Sequence, residues 1–181
     1  MPEILIVAAT ARELNGQEGL VCGIGPVEAA AATARALALR HWGAVLHVGV
    51  AGGRGLAPGS LVIGAEAIYC DLAARLPLVS RVSADPRLVA AARHAQPDAP
   101  VLPIGTSAAV GGAGDDVPVE AMEGFGVLRA AELANVPAVE VRAISNAVGE
   151  RDRSLWRLDD ALAALALALP GLLAAAAAPR R

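Results

Sequence analysis

Aromatic residues are almost missing from this chain. Its 181 residues include two Trp, one Tyr and one Phe, 2% in all, although 55% of the residues are hydrophobic. A core built here must therefore come from Ala, Val, Leu and Ile, side chains that suit strands buried on both faces with helices packed closely on them. Basic clusters are also missing: the net charge is −3 and the isoelectric point about 5.6, with no run of Lys or Arg except the terminal "PRR". Nucleic-acid affinity rests largely on clustered positive charge, which excludes that class of partner. The two cysteines, Cys22 and Cys70, lie in apolar runs without metal or redox spacing, as expected of buried thiols in a cytoplasmic protein. The three histidines, His41, His47 and His94, are scattered. They compose no Ser-His-Asp set and no metal-ligand spacing, so neither metal nor cofactor is expected. His47, inside an apolar run, reads as a satisfied core residue.

The glycine clusters lack what nucleotide motifs require. "GIGPVEA" has Glu28 where a dinucleotide fingerprint has its third glycine, and "GVAGGRG" has no Gly-Lys-Ser/Thr. The opening "MPEILIVAA" has no basic n-region and no cleavage site, so no signal peptide is expected. The C-terminal "DDALAALALALPGLLAAAAAPRR" is long and apolar, but Leu162, Leu165, Leu169 and Leu172 recur at helical spacing and Pro170-Gly171 interrupts the run. We read it as an Ala-rich packing helix rather than a membrane span.

What is present is an alternation of strands and helices. The pattern predicts a strand over 3–9, a loop carrying Arg12, Glu13 and Asn15, and a short strand over 19–23. A helix follows from Pro26 to about 41, with proline at its first position. Strands are expected over 44–50 and through "GSLVIGAEAIYCDL", the latter bent at Gly64. A helix from Pro86 to about 95 and a strand in "APVLPIGTSAAV" come next. "VPVEAMEGFGVLRAAELANV" reads as a helix with Met122, Phe125, Leu128 and Ala131 facing the core, and "PAVEVRAIS" as the last strand. "GGAGDD" at 111–116 looks the most flexible. The expected fold is one α/β domain spanning 1–181, a mixed central sheet with helices on both faces.

With protein nucleophiles and metals set aside, the chemistry left is that of carboxylates and amides. Glu13 follows the first strand, Glu120 and Glu123 flank Met122, and Asn146 ends the last strand. An acid at a helix start also simply complements the helix dipole, which leaves Glu120 and Glu123 open on this ground alone.

The motifs "AATARE", "GIGPVEAA", "GVAGG…PGSLVI", "VEAMEG" and "VRAISN" stand in the order found in purine nucleoside phosphorylases and nucleosidases, and the chain resembles that family from residue 3 to about 165. "VEAMEGFG" and "SNAVGERDRSLWRL" are most similar to the futalosine hydrolase branch. The resemblance implies a nucleosidase acting on a small-molecule purine nucleoside, typically a homo-oligomer. It makes Glu13 the base that deprotonates water and Glu123 the group on the ribose hydroxyls, with Met122 packed on the sugar. Ser145 and Asn146 would address the purine, and Gly52 would lie in the glycine loop beside it. An amide at 146 donates to N7 or O6 and accepts from a ring N–H, which fits hypoxanthine and pairs poorly with a 6-amino group. The glycine loops carry no Ser or Thr for phosphate, which favours water as nucleophile. The resemblance also implies a contraction after about residue 71, where relatives carry a segment that covers the base. Phe125, Tyr69 and Trp156 are the aromatic candidates for stacking there. Arg151 or Arg153 would cap the pocket or meet an anionic tail of the substrate, or else belong to an ion-pair network at a helix start.

Overall fold

The computed structural model describes residues 3–72, 77–114 and 116–178. Among these, eight strands and five α-helices alternate. They are β1 (Ile4–Ala8), α1 (Ala11–Leu14), β2 (Leu20–Val21), α2 (Pro26–Leu39), β3 (Ala44–Gly53), β4 (Leu61–Tyr69), β5 (Arg81–Ser83), α3 (Pro86–Ala95), β6 (Val101–Thr106), β7 (Val119–Ala121), α4 (Gly124–Leu133), β8 (Ala138–Ala147) and α5 (Leu158–Ala176). The strands form one mixed sheet in the order β2-β1-β3-β7-β6-β4-β5, with β8 pairing to both β3 and β4. β8 lies parallel to β3 and antiparallel to β4. These pairings close five strands, β3-β8-β4-β6-β7, into a ring. Ala51, Val62, Ile104, Val119, Ala121 and Ile144 point into it and form a separate small core. The larger core lies between the outside of the sheet and the helices, and almost all of it is aliphatic.

Local chemistry explains where the elements depart from the expected ones. The loop carrying Glu13 winds into the short helix α1, because the Glu13 carboxylate turns back to accept the Thr10 N–H at 2.8 Å. That is the acidic half of a capping box. Asn15 ends the turn with φ 46. The expected helix at 117–136 is shorter, since residues 119–121 pair instead with β3 and β6 as strand β7. Ring closure there outweighs the helical propensity of "VEAMEG". Met122 therefore sits between β7 and α4 rather than on a helical core face, while Leu128 and Ala131 are buried as expected. Proline does not interrupt α5: the helix continues through Pro170 to Ala176.

The bend at Gly64 is present as a register shift between Gly64 and Glu66. Three-residue β5 is too short to leave a readable pattern. The contraction expected after residue 71 falls largely on 73–76, outside the described residues, as does the terminal "PRR". Helix α5 is long and apolar enough to cross a membrane by length and composition. Its Ala161, Leu165, Ala168, Leu169 and Leu172 face is buried in the main core.

Candidate active site

One cavity of about 510 Å³ opens where the ends of β3, β7 and β8 meet α1 and the segment before α5. It is lined by Glu13, Gly52, Met122, Glu123, Ser145 and Asn146, six residues singled out in the sequence from four separate stretches of chain. Arg153 and Trp156 form part of its wall, with the Arg153 guanidinium 5.5 Å from the Trp156 ring centre. Arg12 stands at the rim, paired to Asp159 at 2.9 Å.

Glu13 is only 5% exposed, yet its carboxylate is well supplied with donors. Oε2 accepts from the Thr10 N–H and hydroxyl, each at 2.8 Å, and Oε1 accepts from the Val50 N–H at 3.1 Å. Glu123, 4% exposed, accepts from the Gly25 N–H at 3.1 Å through Oε1 and from Arg142 at 3.2 Å through Oε2. Gly25 is the N-cap of α2, so Glu123 occupies the positive end of that helix.

Asn146 lies one residue inside the end of β8, not beyond it. A register shift opposite Ala51/Gly52 re-aims it toward the cavity. Its Oδ1 accepts from the Ser145 hydroxyl at 2.7 Å and its Nδ2–H donates to the Ala147 carbonyl at 2.8 Å. A Cβ on Gly52 would lie 3.0 Å from Asn146 Nδ2 and 3.3 Å from Val148 Cα, so the close approach of β3 to this amide depends on glycine.

Behind the carboxylates runs a buried polar layer whose centre, Arg142, the motifs did not single out. Arg142 is fully buried. It donates from Nε to Glu140 Oε1 at 2.7 Å, from Nη1 to the Val50 carbonyl at 3.3 Å, and from Nη2 to both Glu123 Oε2 and His47 Nε2. Burial alone would lower its pKa, but Glu140, Glu123 and Glu13 outweigh that and hold it above the ordinary value. His47 is pushed well below its usual range by burial and by the Arg142 charge, so its ring is neutral. Burial raises the pKa of Glu140 against the pull of Arg142. The sequence did carry a signal for this layer: Glu140 and Arg142 stand at alternate positions, hence on one face, of an otherwise apolar strand run. Charges in such a strand must be paired.

Of the other expected residues, Glu120 also lines the cavity, whereas Phe125 and Arg151 fall elsewhere. Phe125 does not line the cavity. It stacks on Tyr69 with ring centres 5.1 Å apart and packs against the main core. Arg151 is exposed on the loop after β8, next to Gly111, and Arg153 takes the lining position. Glu120 is no helix-start acid. From β7 it accepts the Gly111 N–H at 2.7 Å and the Ala113 N–H at 3.1 Å, fixing those two residues of the stretch expected to be most flexible. His47 is a core residue, as its apolar run implied, but a hydrogen-bonded member of the polar layer. Among the described residues no group of three or more His, Cys, Asp or Glu is arranged to hold a metal.

This arrangement can place a water against Glu13, a polyhydroxyl ring against Glu123 and Met122, and a heterocycle against Asn146. The sequence pattern of the phosphorylase superfamily matches residues 15–178. A futalosine hydrolase of Streptomyces coelicolor is 38% identical over 181 aligned positions, covering 83% of this chain and 76% of that protein. One from Acidothermus cellulolyticus is 36% identical over 195, covering 93% and 80%. Among solved structures, the 5′-methylthioadenosine/S-adenosylhomocysteine nucleosidase of Neisseria meningitidis in complex with methylthio-immucillin-A superposes with a TM-score of 0.83 at 22% identity, covering 96% of this chain and 99% of that one. The chain belongs to the phosphorylase superfamily, within the branch that holds the futalosine hydrolases.

Proposed function

We propose that the protein hydrolyses the N-glycosidic bond of a 6-oxopurine nucleoside, futalosine, releasing hypoxanthine and dehypoxanthinyl futalosine in menaquinone biosynthesis. The observation that carries this reading is the convergence of Glu13, Glu123 and Asn146 on one cavity. The C1′–N9 bond breaks with its electron pair passing to the purine, while water adds to C1′ and gives a proton to Glu13; the purine anion takes a proton from solvent to leave as hypoxanthine, and Glu13 returns its own to solvent. Glu123 and Met122 hold the ribose as positive charge develops on it. The Asn146 amide, oriented by the Ser145 hydroxyl, donates to N7 or O6 of the leaving base and accepts from its ring N–H.

Water rather than phosphate is favoured as nucleophile because Glu123 already occupies the N-terminus of α2, the natural anion site in this cavity. Trp156 is the aromatic side chain in the cavity wall, and Arg153 beside it suits an anionic tail on the nucleoside. A second reading, a methylthioadenosine or adenosylhomocysteine nucleosidase, draws on the shared fold with the Neisseria enzyme. Asn146 argues against it, because an amide can hydrogen-bond to N7 but has no acidic proton to transfer to a departing adenine. We further read the chain as a cytoplasmic homo-oligomer, as the family resemblance implies.

The test is incubation with futalosine, without and then with phosphate, following free hypoxanthine, with methylthioadenosine in parallel. Phosphate-independent release from futalosine is expected, and Glu13→Gln should lower it by roughly 10²- to 10⁴-fold, the range for a positioned base. Release of adenine alone, or a strict requirement for phosphate, would overturn the assignment. Binding without turnover would make the chain a nucleoside-binding protein.

A further inference from the structure

The polar layer behind the cavity contains two groups, His47 and Glu140, that reach no substrate. Both are fully buried and both hold the same guanidinium. They come from neighbouring parallel strands, His47 opposite Glu140 and Gly49 opposite Arg142 in the β3–β8 register. The empty side of Gly49 is what lets Arg142 cross toward the cavity: a Cβ there would collide with Arg142 Nη1 and lie 2.7 Å from Glu13 Oε1. The far edge of the guanidinium is fixed by Glu140 on Nε and by His47 on Nη2, and the near edge meets Glu123 and the Val50 carbonyl. Val50 in turn gives its N–H to Glu13. One rigid guanidinium thus joins the seats of both cavity carboxylates.

The tautomer of His47 is set by its surroundings. Nδ1 lies 3.0 Å from the Val7 carbonyl, which can only accept, so the proton is on Nδ1 and the Nε2 lone pair faces Arg142. A neutral imidazole gives Arg142 an acceptor without adding charge to a layer that already holds Glu13, Glu123 and Glu140. The 3.9 Å approach of His47 to Glu140 is therefore no ion pair. Glu140 Oε2, pressed against Gly124, has no hydrogen-bond partner among the described residues, and the side chain acts there through Oε1 on Arg142.

We propose that His47 and Glu140 are positioning residues, an inner clamp that holds Arg142 in the one orientation that seats Glu13 and Glu123 for glycosidic hydrolysis. This rests on the reaction proposed above, but the clamp has its own readout. Glutamine places an acceptor near the position of Nε2, leucine places none, and asparagine is too short to reach.

The experiment compares wild type, His47→Gln and His47→Leu, with His47→Asn in place of leucine if that variant does not fold. For each, kcat and KM on futalosine are measured together with the Arg142 Nε–H resonance by nitrogen-edited NMR and its exchange with solvent. We expect His47→Leu to lose kcat by roughly 10- to 100-fold, the worth of one hydrogen bond to a charged group, with KM changed by less than about threefold. His47→Gln should retain most of kcat. The Arg142 Nε–H signal should stay protected in wild type and His47→Gln and broaden in His47→Leu.

Equal loss of kcat in the glutamine and leucine variants would overturn the clamp and leave only a packing role. So would an unchanged Arg142 signal in His47→Leu. Should wild type release no base, the hydrolase reading fails. The NMR comparison then still decides whether His47 holds Arg142.

Discussion

Replacing Asn146 by aspartate exchanges an amide for an acid, and the structure says why this should not simply switch the base. Asn146 is 8% exposed, and both ends of its amide are committed: Oδ1 accepts from Ser145 at 2.7 Å and Nδ2–H donates to the Ala147 carbonyl at 2.8 Å. In Asn146→Asp an oxygen takes the place of Nδ2 and faces the Ala147 carbonyl, two acceptors in contact. The layout offers two escapes. The side chain can swing away and leave a buried carbonyl unpaired, or the new carboxyl can hold a proton and spend it on Ala147, where it cannot reach N7. Leaving one buried acceptor unsatisfied costs about 1–3 kcal/mol, which converts to roughly 5- to 150-fold at 1.4 kcal/mol per tenfold. Hypoxanthine release should therefore fall within that range, and adenine release should not rise above it.

The contact favours the protonated acid, so its folded-state pKa is raised. The variant keeps most of its stability at low pH and loses it as pH rises through that pKa. Chromatographic release assays on futalosine and methylthioadenosine between about pH 5 and 8, with thermal unfolding at each pH, read all of this. A variant as active as wild type on futalosine, or one faster on the adenine nucleoside with unchanged melting, would refute the account.

Three further outcomes follow from particular contacts. Gly49→Ala puts a Cβ into Arg142 Nη1 and 2.7 Å from Glu13 Oε1, so it should cost about 1–3 kcal/mol of stability and most of the activity, read by melting and by turnover of the folded fraction. His47 resists protonation when folded but titrates near its ordinary 6.5 when unfolded, so the unfolded chain binds the extra proton. Stability should then fall by up to about 1.4 kcal/mol per pH unit below that value, and denaturant titrations should show this limb flattened in His47→Gln. Cys22, 3% exposed with its thiol pushed up to about 12 by burial and then by the Glu123 charge, should resist alkylation at pH 8 in the native protein and react in urea, as mass spectrometry of the labelled peptides would show.

How much of this could be read without coordinates differs from element to element. Continuous apolar runs announced β1, β3 and β8, and Pro26 and Pro86 marked helix starts because a proline N–H is not missed there. Glu13, Glu120, Glu123 and Asn146 stood out as polar groups near strand ends in an aliphatic chain, and the family resemblance chose Glu123 over Glu120. The element starts are local in the chain, and composition and spacing determined them.

Ring closure decided the rest. Residues 119–121 became a strand because the edges of β3 and β6 were there to be paired, a fact about other parts of the chain. Phe125 went to Tyr69 and the core, while Arg153 and Trp156 reached the cavity, because packing rather than residue type chooses which aromatic or cation faces a site. Arg142 shows the division most plainly. Its burial was implied by the strand around it, but that Glu123, His47 and Glu140 would share one guanidinium depended on the β3–β8 register, and registry between strands about ninety residues apart exists only in the folded molecule.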